Sequence, residues 1–142
     1  MNRRPRPQDG TVVVEAAVIA PALVGLLLLV VFAGRVAEAD TRVRHAAAVA
    51  ARAASTHAEP DGAAEAARAA AAANLAASGL ACARLDATVD TAAFHPGGAV
   101  VVTLTCTASL HDLAMLAVPG QRTFSAKAAE VVDRFRSSGE HR

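Results

Sequence analysis

The sequence predicts an α+β fold with a long N-terminal membrane-spanning helix, an alanine-rich second helix and a small antiparallel β-meander. Three observations lead to this prediction: an uncharged apolar run near the N-terminus, a central segment of almost pure alanine, and apolar–polar alternation in the last third. The run has the length of a bilayer span, the alanines favour helix, and alternation has the period of a strand. We predict a basic leader at 1–10, a transmembrane and extended helix at 11–57 and a small α+β head at 61–142.

The composition argues against several functional classes. The chain has 142 residues, of which 38 are alanine, and its four aromatic residues are all Phe. Alanine, valine and leucine alone fill space poorly around a ligand, so we expect neither a cofactor nor a small-molecule substrate. The net charge of +1 and the lack of stacking aromatics argue against nucleic-acid binding. The histidines have no metal-ligand spacing and no catalytic constellation is present, so we predict no metal and no enzyme activity.

The apolar run covers residues 16–34 and contains no charged or strongly polar side chain. As a helix it would be about 28 Å long, close to the ~30 Å hydrocarbon core of a bilayer. The mean hydropathy of +0.34 for the whole chain agrees with a membrane segment. Arginines of the leader precede the run and further arginines follow it, so charge alone leaves the orientation open.

One acidic residue, Glu15, stands at the start of this run. It follows Gly10 by five residues, and Pro21 lies six residues further along. A carboxylate in a membrane helix is costly, which makes such a residue a candidate functional site. The functional prediction therefore depends on this order: a glycine, four further residues, a glutamate and then an apolar helix.

This arrangement resembles type IV pilin-like precursors, which also have a basic leader, a glycine like Gly10, a glutamate like Glu15 and a long apolar helix. The Val-Glu-Ala-Ala sequence with Pro21 is similar to the TadE-like family of tight-adherence pilus-assembly pseudopilins, and the likeness extends to the Ala-Ala-Arg sequence ending at Arg52. The resemblance implies that a prepilin peptidase cuts after Gly10, so that Thr11 becomes the mature N-terminus and Glu15 its fifth residue.

The resemblance also implies a role for Glu15. Its carboxylate would pair with the free amine of a neighbouring subunit, which neutralises two charges in an apolar setting. The implied partners are the membrane, the prepilin peptidase, other pilin-like subunits and the pilus assembly machinery. Because Ala16 stands where the family's major pilin has Tyr, and the chain is longer than that subunit, the implied function is that of a minor or accessory subunit in the bacterial cell envelope.

Beyond the membrane, the first helix is predicted to continue to about Thr56, because small residues recur there every three and four positions. A second helix, capped by Asp61 and ended by Gly79, is predicted to lie against its upper part. A disordered low-complexity linker is the alternative for the alanine-rich segment. The recurring small residues are Val36, Ala39, Val43, Ala46, Ala47, Ala50 and Ala54.

Alternating segments at 85–90 and 100–107 predict two antiparallel strands joined by a turn at 94–98. A third strand at 122–132 would complete a meander. Its second half, together with the residues up to 135, also has helical spacing, so strand and helix both remain open there.

The two cysteines, Cys82 and Cys106, are most economically interpreted as one disulfide that closes a loop of about 25 residues. A disulfide persists only in an oxidising compartment, so it predicts a single-pass protein of the cytoplasmic membrane with an extracytoplasmic C-terminal part. Two unpaired buried thiols are the alternative.

Two further hypotheses stand beside the pilin-like one. The chain could be a single-pass cell-envelope anchor that is never cleaved, or a secreted protein whose apolar run is a signal peptide cut after Ala39. The three hypotheses predict mature chains that begin at Thr11, at Met1 or Asn2, and at Asp40, respectively.

Overall fold

The computed structural model describes residues 9–114 and 119–134, and the predicted α+β class is confirmed. Residues 1–8 of the predicted leader and residues 135–142 at the end of the predicted head lie outside the described residues. The elements in chain order are α1 (Asp9–Ser55), α2 (Pro60–Ala77), β1 (Arg84–Asp90), β2 (Ala99–Ser109), α3 (Leu110–Ala114) and β3 (Gln121–Val131).

Helix α1 is continuous for 47 residues and contains Pro21 without ending there. Its first half is rich in alanine and leucine, which favour helix, and in an apolar medium its backbone groups can bond only within the helix. The chain divides into two compact units, Met1–Gly34 and Arg35–Arg142, so the boundary between them falls inside α1. Residues 35–55 of α1 therefore belong to the second unit, and from here on the head means this whole unit, which begins earlier than the predicted head at 61–142.

Within that unit, α1 and α2 each bury a face made almost entirely of alanine. The spacing of three and four between these residues aligns them along one side of each helix. Both faces belong to a single buried cluster, so the alanine-rich segment is a helix that shares the core and not a disordered linker. The buried residues are Ala39, Val43, Ala46, Ala47, Ala50, Ala51 and Ala54 on α1, and Ala63, Ala67, Ala71 and Leu75 on α2.

The start of α2 corrects one prediction. Asp61 is not its cap: the N-cap is Glu59, whose side chain makes no capping hydrogen bond, and Pro60 opens the first turn. Proline suits that position because it has no N–H to satisfy and its φ is already helical. Gly79 follows the end of α2 as predicted, with φ +73°, and its N–H donates to the carbonyl of Ala76.

The three strands form an antiparallel sheet in the order β1-β2-β3. The third segment is therefore a strand throughout 121–131, and the helical alternative is wrong. Alternate residues of β2 are fully buried, which is the pattern of a central strand with one face on a core. Three rows of side chains cross this inner face: Leu85–Cys106–Phe124, Ala87–Leu104–Ala126 and Val89–Val102–Ala128.

Candidate functional site

The predicted processing and assembly residues all lie on α1. Gly10 and Thr11 fall within the first turn of the helix, where only the backbone is described. Thr11 and Glu15 are four residues apart, and this spacing puts them on the same face of the helix. Glu15 is exposed, and no cation of the described residues lies within ion-pair distance of it. A partner for its carboxylate would therefore come from outside the described part of this chain.

The helix around Glu15 is apolar on all sides, and its large side chains are uncovered. Val18 is 69% exposed, Leu27 62% and Val30 61%. The helix from Glu15 to Ser55 contains a stretch with a mean hydropathy of 2.8, none of which is buried, so it is long and apolar enough to cross a membrane. A helix that is hydrophobic all round needs an apolar medium or a protein partner around it. Its composition indicates a membrane anchor.

Pro21 lies six residues after Glu15, inside the predicted span. Because proline lacks an N–H, the carbonyl of Ala17 loses its usual helical donor. In a membrane such a carbonyl is tolerated where a neighbouring helix or polar group covers it. Pro21 and Glu15 thus each bring a polar group that needs a partner into the same apolar half-helix.

The upper half of α1, residues 35–55, differs because it carries two ion pairs. The Arg42 guanidinium donates to a Glu38 carboxylate oxygen over 2.6 Å, and the Arg44 Nε donates to Asp40 over 2.7 Å. Both pairs have the i,i+4 spacing in which an acid precedes a base on a helix surface. The two pairs lie on either side of the buried alanine face, at the margins between that face and the exposed side of the helix.

The predicted cysteine pair is present as a disulfide. The Cα atoms of Cys82 and Cys106 are 5.4 Å apart, and Cys106 is fully buried in the middle strand. Cys82 lies between the end of α2 and the start of β1, so the bridge joins the α2–β1 connection to β2. The alternative of two unpaired thiols is wrong.

The structure thus joins Cys82 with Cys106 and places the other predicted site residues along one helix without joining them to each other. No group of His, Cys, Asp or Glu able to hold a metal is found within residues 9–114 and 119–134. The sequence predicts no functional residue on β3. Arg122 and Glu130 stand near the two ends of this strand on the same face, eight residues apart in an alternating segment.

Comparison with known proteins agrees with the geometry of α1. Residues 10–52 match the model of a protein family described as TadE-like protein, and the resemblance inferred from the sequence is thereby confirmed. No curated protein and no solved structure matches the chain. The matched residues begin at Gly10, include Glu15 and Pro21, and lie entirely within α1. Residues 10–52 therefore resemble TadE-like proteins, and this likeness covers less than half of the chain.

Proposed function

We propose that this chain is a minor or accessory pseudopilin-like subunit in the assembly of a tight-adherence, type IV-like pilus, and that a prepilin peptidase cleaves it after Gly10. The observation that carries the proposal is the TadE-like match, because it covers Gly10, Glu15 and the exposed apolar half of α1 in one segment. The cleaved chain would begin at Thr11 and remain anchored by the same helix.

In this proposal Glu15 holds neighbouring subunits together. Cleavage would create a positively charged amine at Thr11, and the amine of one subunit would pair with the Glu15 carboxylate of the next. Glu15 is exposed and unpaired among the described residues, so its carboxylate is accessible to a partner on another subunit. Each charge alone has a high desolvation free energy in an apolar medium, and pairing the two charges lowers this cost. Pairing would therefore favour the assembled form.

The proposal places the head outside the cytoplasm. The Cys82–Cys106 disulfide supports this placement, because disulfides form and persist in oxidising compartments. The basic leader would then stay on the cytoplasmic side, where the prepilin peptidase and the assembly machinery would meet it. The chain would be a single-pass protein of the cytoplasmic membrane and could be drawn from there into a pilus.

Sequencing of the mature N-terminus tests the proposal. The full chain is expressed in its host membrane with and without the prepilin peptidase, and we expect Thr11 as the first residue only when the peptidase is present. An N-terminus at Met1 or Asn2 would indicate an uncleaved anchor. One at Asp40 would indicate a signal peptide, although α1 runs unbroken through this position and Ala39 is already part of the buried core.

A glycine substitution tests the site of cleavage. Gly10→Ala adds a methyl group beside the bond to be cut, and we expect most of the protein to remain unprocessed. Gly25→Ala is the matched control, because it lies on the same helix and an added Cβ there meets no atom within 4 Å. The ratio of precursor to mature chain is read by mass spectrometry. Normal processing of Gly10→Ala would contradict cleavage after this residue.

A glutamate substitution tests the ion pair. Glu15→Gln keeps the shape of the side chain and removes its charge, so we expect cleavage to continue while assembly falls by a hundredfold or more, since breaking a buried pair costs about 3–5 kcal/mol. Glu38→Gln makes the same chemical change at an exposed position of the head. Co-purification with the other pilin-like subunits is the measurement. Equal recovery of the two variants would remove the ion-pair argument.

A further inference from the structure

The two edges of the sheet differ in length and surroundings. Strand β1 has seven residues and contacts α2, whereas β3 has eleven residues and pairs with β2 on one side only. The described residues place no further strand on the outer edge of β3. A long unpaired edge is a template for another strand unless something blocks it. The outer edge of β3 is therefore a candidate interaction surface.

Hydrogen bonds at the two ends of β3 show which backbone groups face this edge. The Val132 N–H donates to the Gly98 carbonyl, and the Leu110 N–H donates to the Gly120 carbonyl. Even-numbered residues of this segment therefore bond to β2, since antiparallel pairing alternates along a strand. The free N–H and C=O groups belong to the odd-numbered residues Gln121, Thr123, Ser125, Lys127, Ala129 and Val131.

We propose that β3 pairs antiparallel with β3 of a second copy of this chain, about a two-fold axis at Ala126. Ala126 is the middle residue of Gln121–Val131, so this register uses the strand over its full length. It brings together the odd-numbered residues with free backbone groups, and it joins two three-stranded sheets into a single six-stranded sheet. The hydrogen-bonded pairs across the axis are Gln121–Val131, Thr123–Ala129 and Ser125–Lys127.

The charges near the ends of β3 favour this register. Arg122 of each copy would face Glu130 of the other, twice across the axis. Both side chains are exposed, and neither forms an ion pair with another described residue. They occupy non-hydrogen-bonded positions of the new pairing, where opposite side chains approach most closely. The guanidinium of Arg122 already lies 5.7 Å from the centre of the Phe124 ring, which favours a side chain lying along the strand.

Neighbouring registers are less favourable. A shift of two residues in either direction separates Arg122 from Glu130, and one of the two shifts also places Lys127 directly opposite its own copy. In the full-length register Lys127 faces Ser125, and the two lysines are diagonal neighbours roughly 7–8 Å apart on a solvent-exposed face. That repulsion is weak because water and salt screen it. The charge pattern therefore selects the register that also has the largest overlap.

Cysteine cross-linking of the full chain in membranes tests the position of the axis. Ala126→Cys should give a disulfide-linked dimer on oxidation, because the two Cα atoms would lie about 4.5 Å apart. In Ala129→Cys the same atoms would be about 20 Å apart. Ala126 is only 8% exposed and Ala129 is exposed, so cross-linking by random collision would be stronger for Ala129→Cys than for Ala126→Cys. The native cysteines do not interfere, because both are in the Cys82–Cys106 disulfide. Equal or stronger cross-linking of Ala129→Cys overturns the proposal.

Charge exchange provides a second, independent test. Arg122→Glu places two acids opposite each other at both ends of the pairing, and we expect roughly tenfold weaker dimerisation by analytical ultracentrifugation in detergent. Adding Glu130→Arg should restore the dimer. Arg52→Glu, an equal change of charge on the exposed side of α1, should have no effect. A chain that stays monomeric, or a dimer that ignores these changes, overturns the proposal. Neither outcome depends on cleavage after Gly10.

Discussion

The two halves of α1 place side chains of different size in opposite environments. In the first half the large residues are outside: Leu27 is 62% exposed and Val30 61%. In the second half the small residues are inside, and Ala47 and Ala50 are fully buried. A water-soluble protein normally buries its large apolar side chains. Hydrophobic content alone therefore does not predict burial on this helix, whereas the size and the pattern of its side chains do.

The same contrast explains what stabilises the head. A face of alanines allows two helices to approach closely, but each alanine removes little apolar surface from water. The largest fully buried side chains of the described residues are those of Leu104, Val43, Val100, Val102 and Cys106, most of them on β2. A small domain with so modest a core depends on additional restraints. The Cys82–Cys106 disulfide supplies such a restraint.

Removal of the disulfide should destabilise the head strongly. Replacing Cys82 and Cys106 together by alanine should lower the free energy of unfolding of the head by about 3.5 kcal/mol, the chain-entropy value for a loop of about 25 residues. The loss should appear as an earlier transition in a urea titration of the full chain in detergent. Association of the protein with membranes should not change, because residues 15–34 make no use of the bridge. A parallel loss of membrane association would contradict the separation of the two halves.

A pair of substitutions on α1 tests the role of side-chain size directly. Ala47→Leu inserts a large side chain into a fully packed face and should cost about 1–3 kcal/mol of head stability. Leu27→Ala is the matched change in the exposed half and should leave the unfolding of the head within about 0.5 kcal/mol of the original, as for substitutions outside packed regions. Thermal unfolding followed by circular dichroism measures both. If Ala47→Leu has no effect, the alanine face is not closely packed.

Local patterns in the sequence predicted most of the fold. Alternation located β1 and β2, and the three-and-four spacing of small residues located the buried side of residues 35–55 of α1. The choice between strand and helix for 126–135 was out of reach because it depends on pairing with β2, which is not a local property. In the sheet, Ala126 pairs with Leu104 and Ala128 pairs with Val102. Both alanines thereby lie on the inner face, which a helix at this position would not achieve.

The candidate site was predictable only as a set of positions. The interval from Gly10 to Glu15 and the apolar run after it are properties of the sequence, and the family match covers them. What Glu15 binds is not a property of one chain, since the proposed amine belongs to a neighbouring subunit. The disulfide was easier to predict than the partner of Glu15, because two cysteines allow only one pairing within a chain.

The two ion pairs on the upper half of α1 should contribute little to the stability of the head. Glu38→Gln removes the ion pair with Arg42, whose side chain is 32% exposed while that of Glu38 is 52% exposed. Water screens such a pair, so the head should lose only about 0.3–0.5 kcal/mol despite the short 2.6 Å contact. The difference between the variant and the original should shrink in 1 M salt, where the screening length falls to about 3 Å. A loss as large as that expected for Ala47→Leu would mean that the exposed charges, and not the buried alanines, hold this half of the helix in the head.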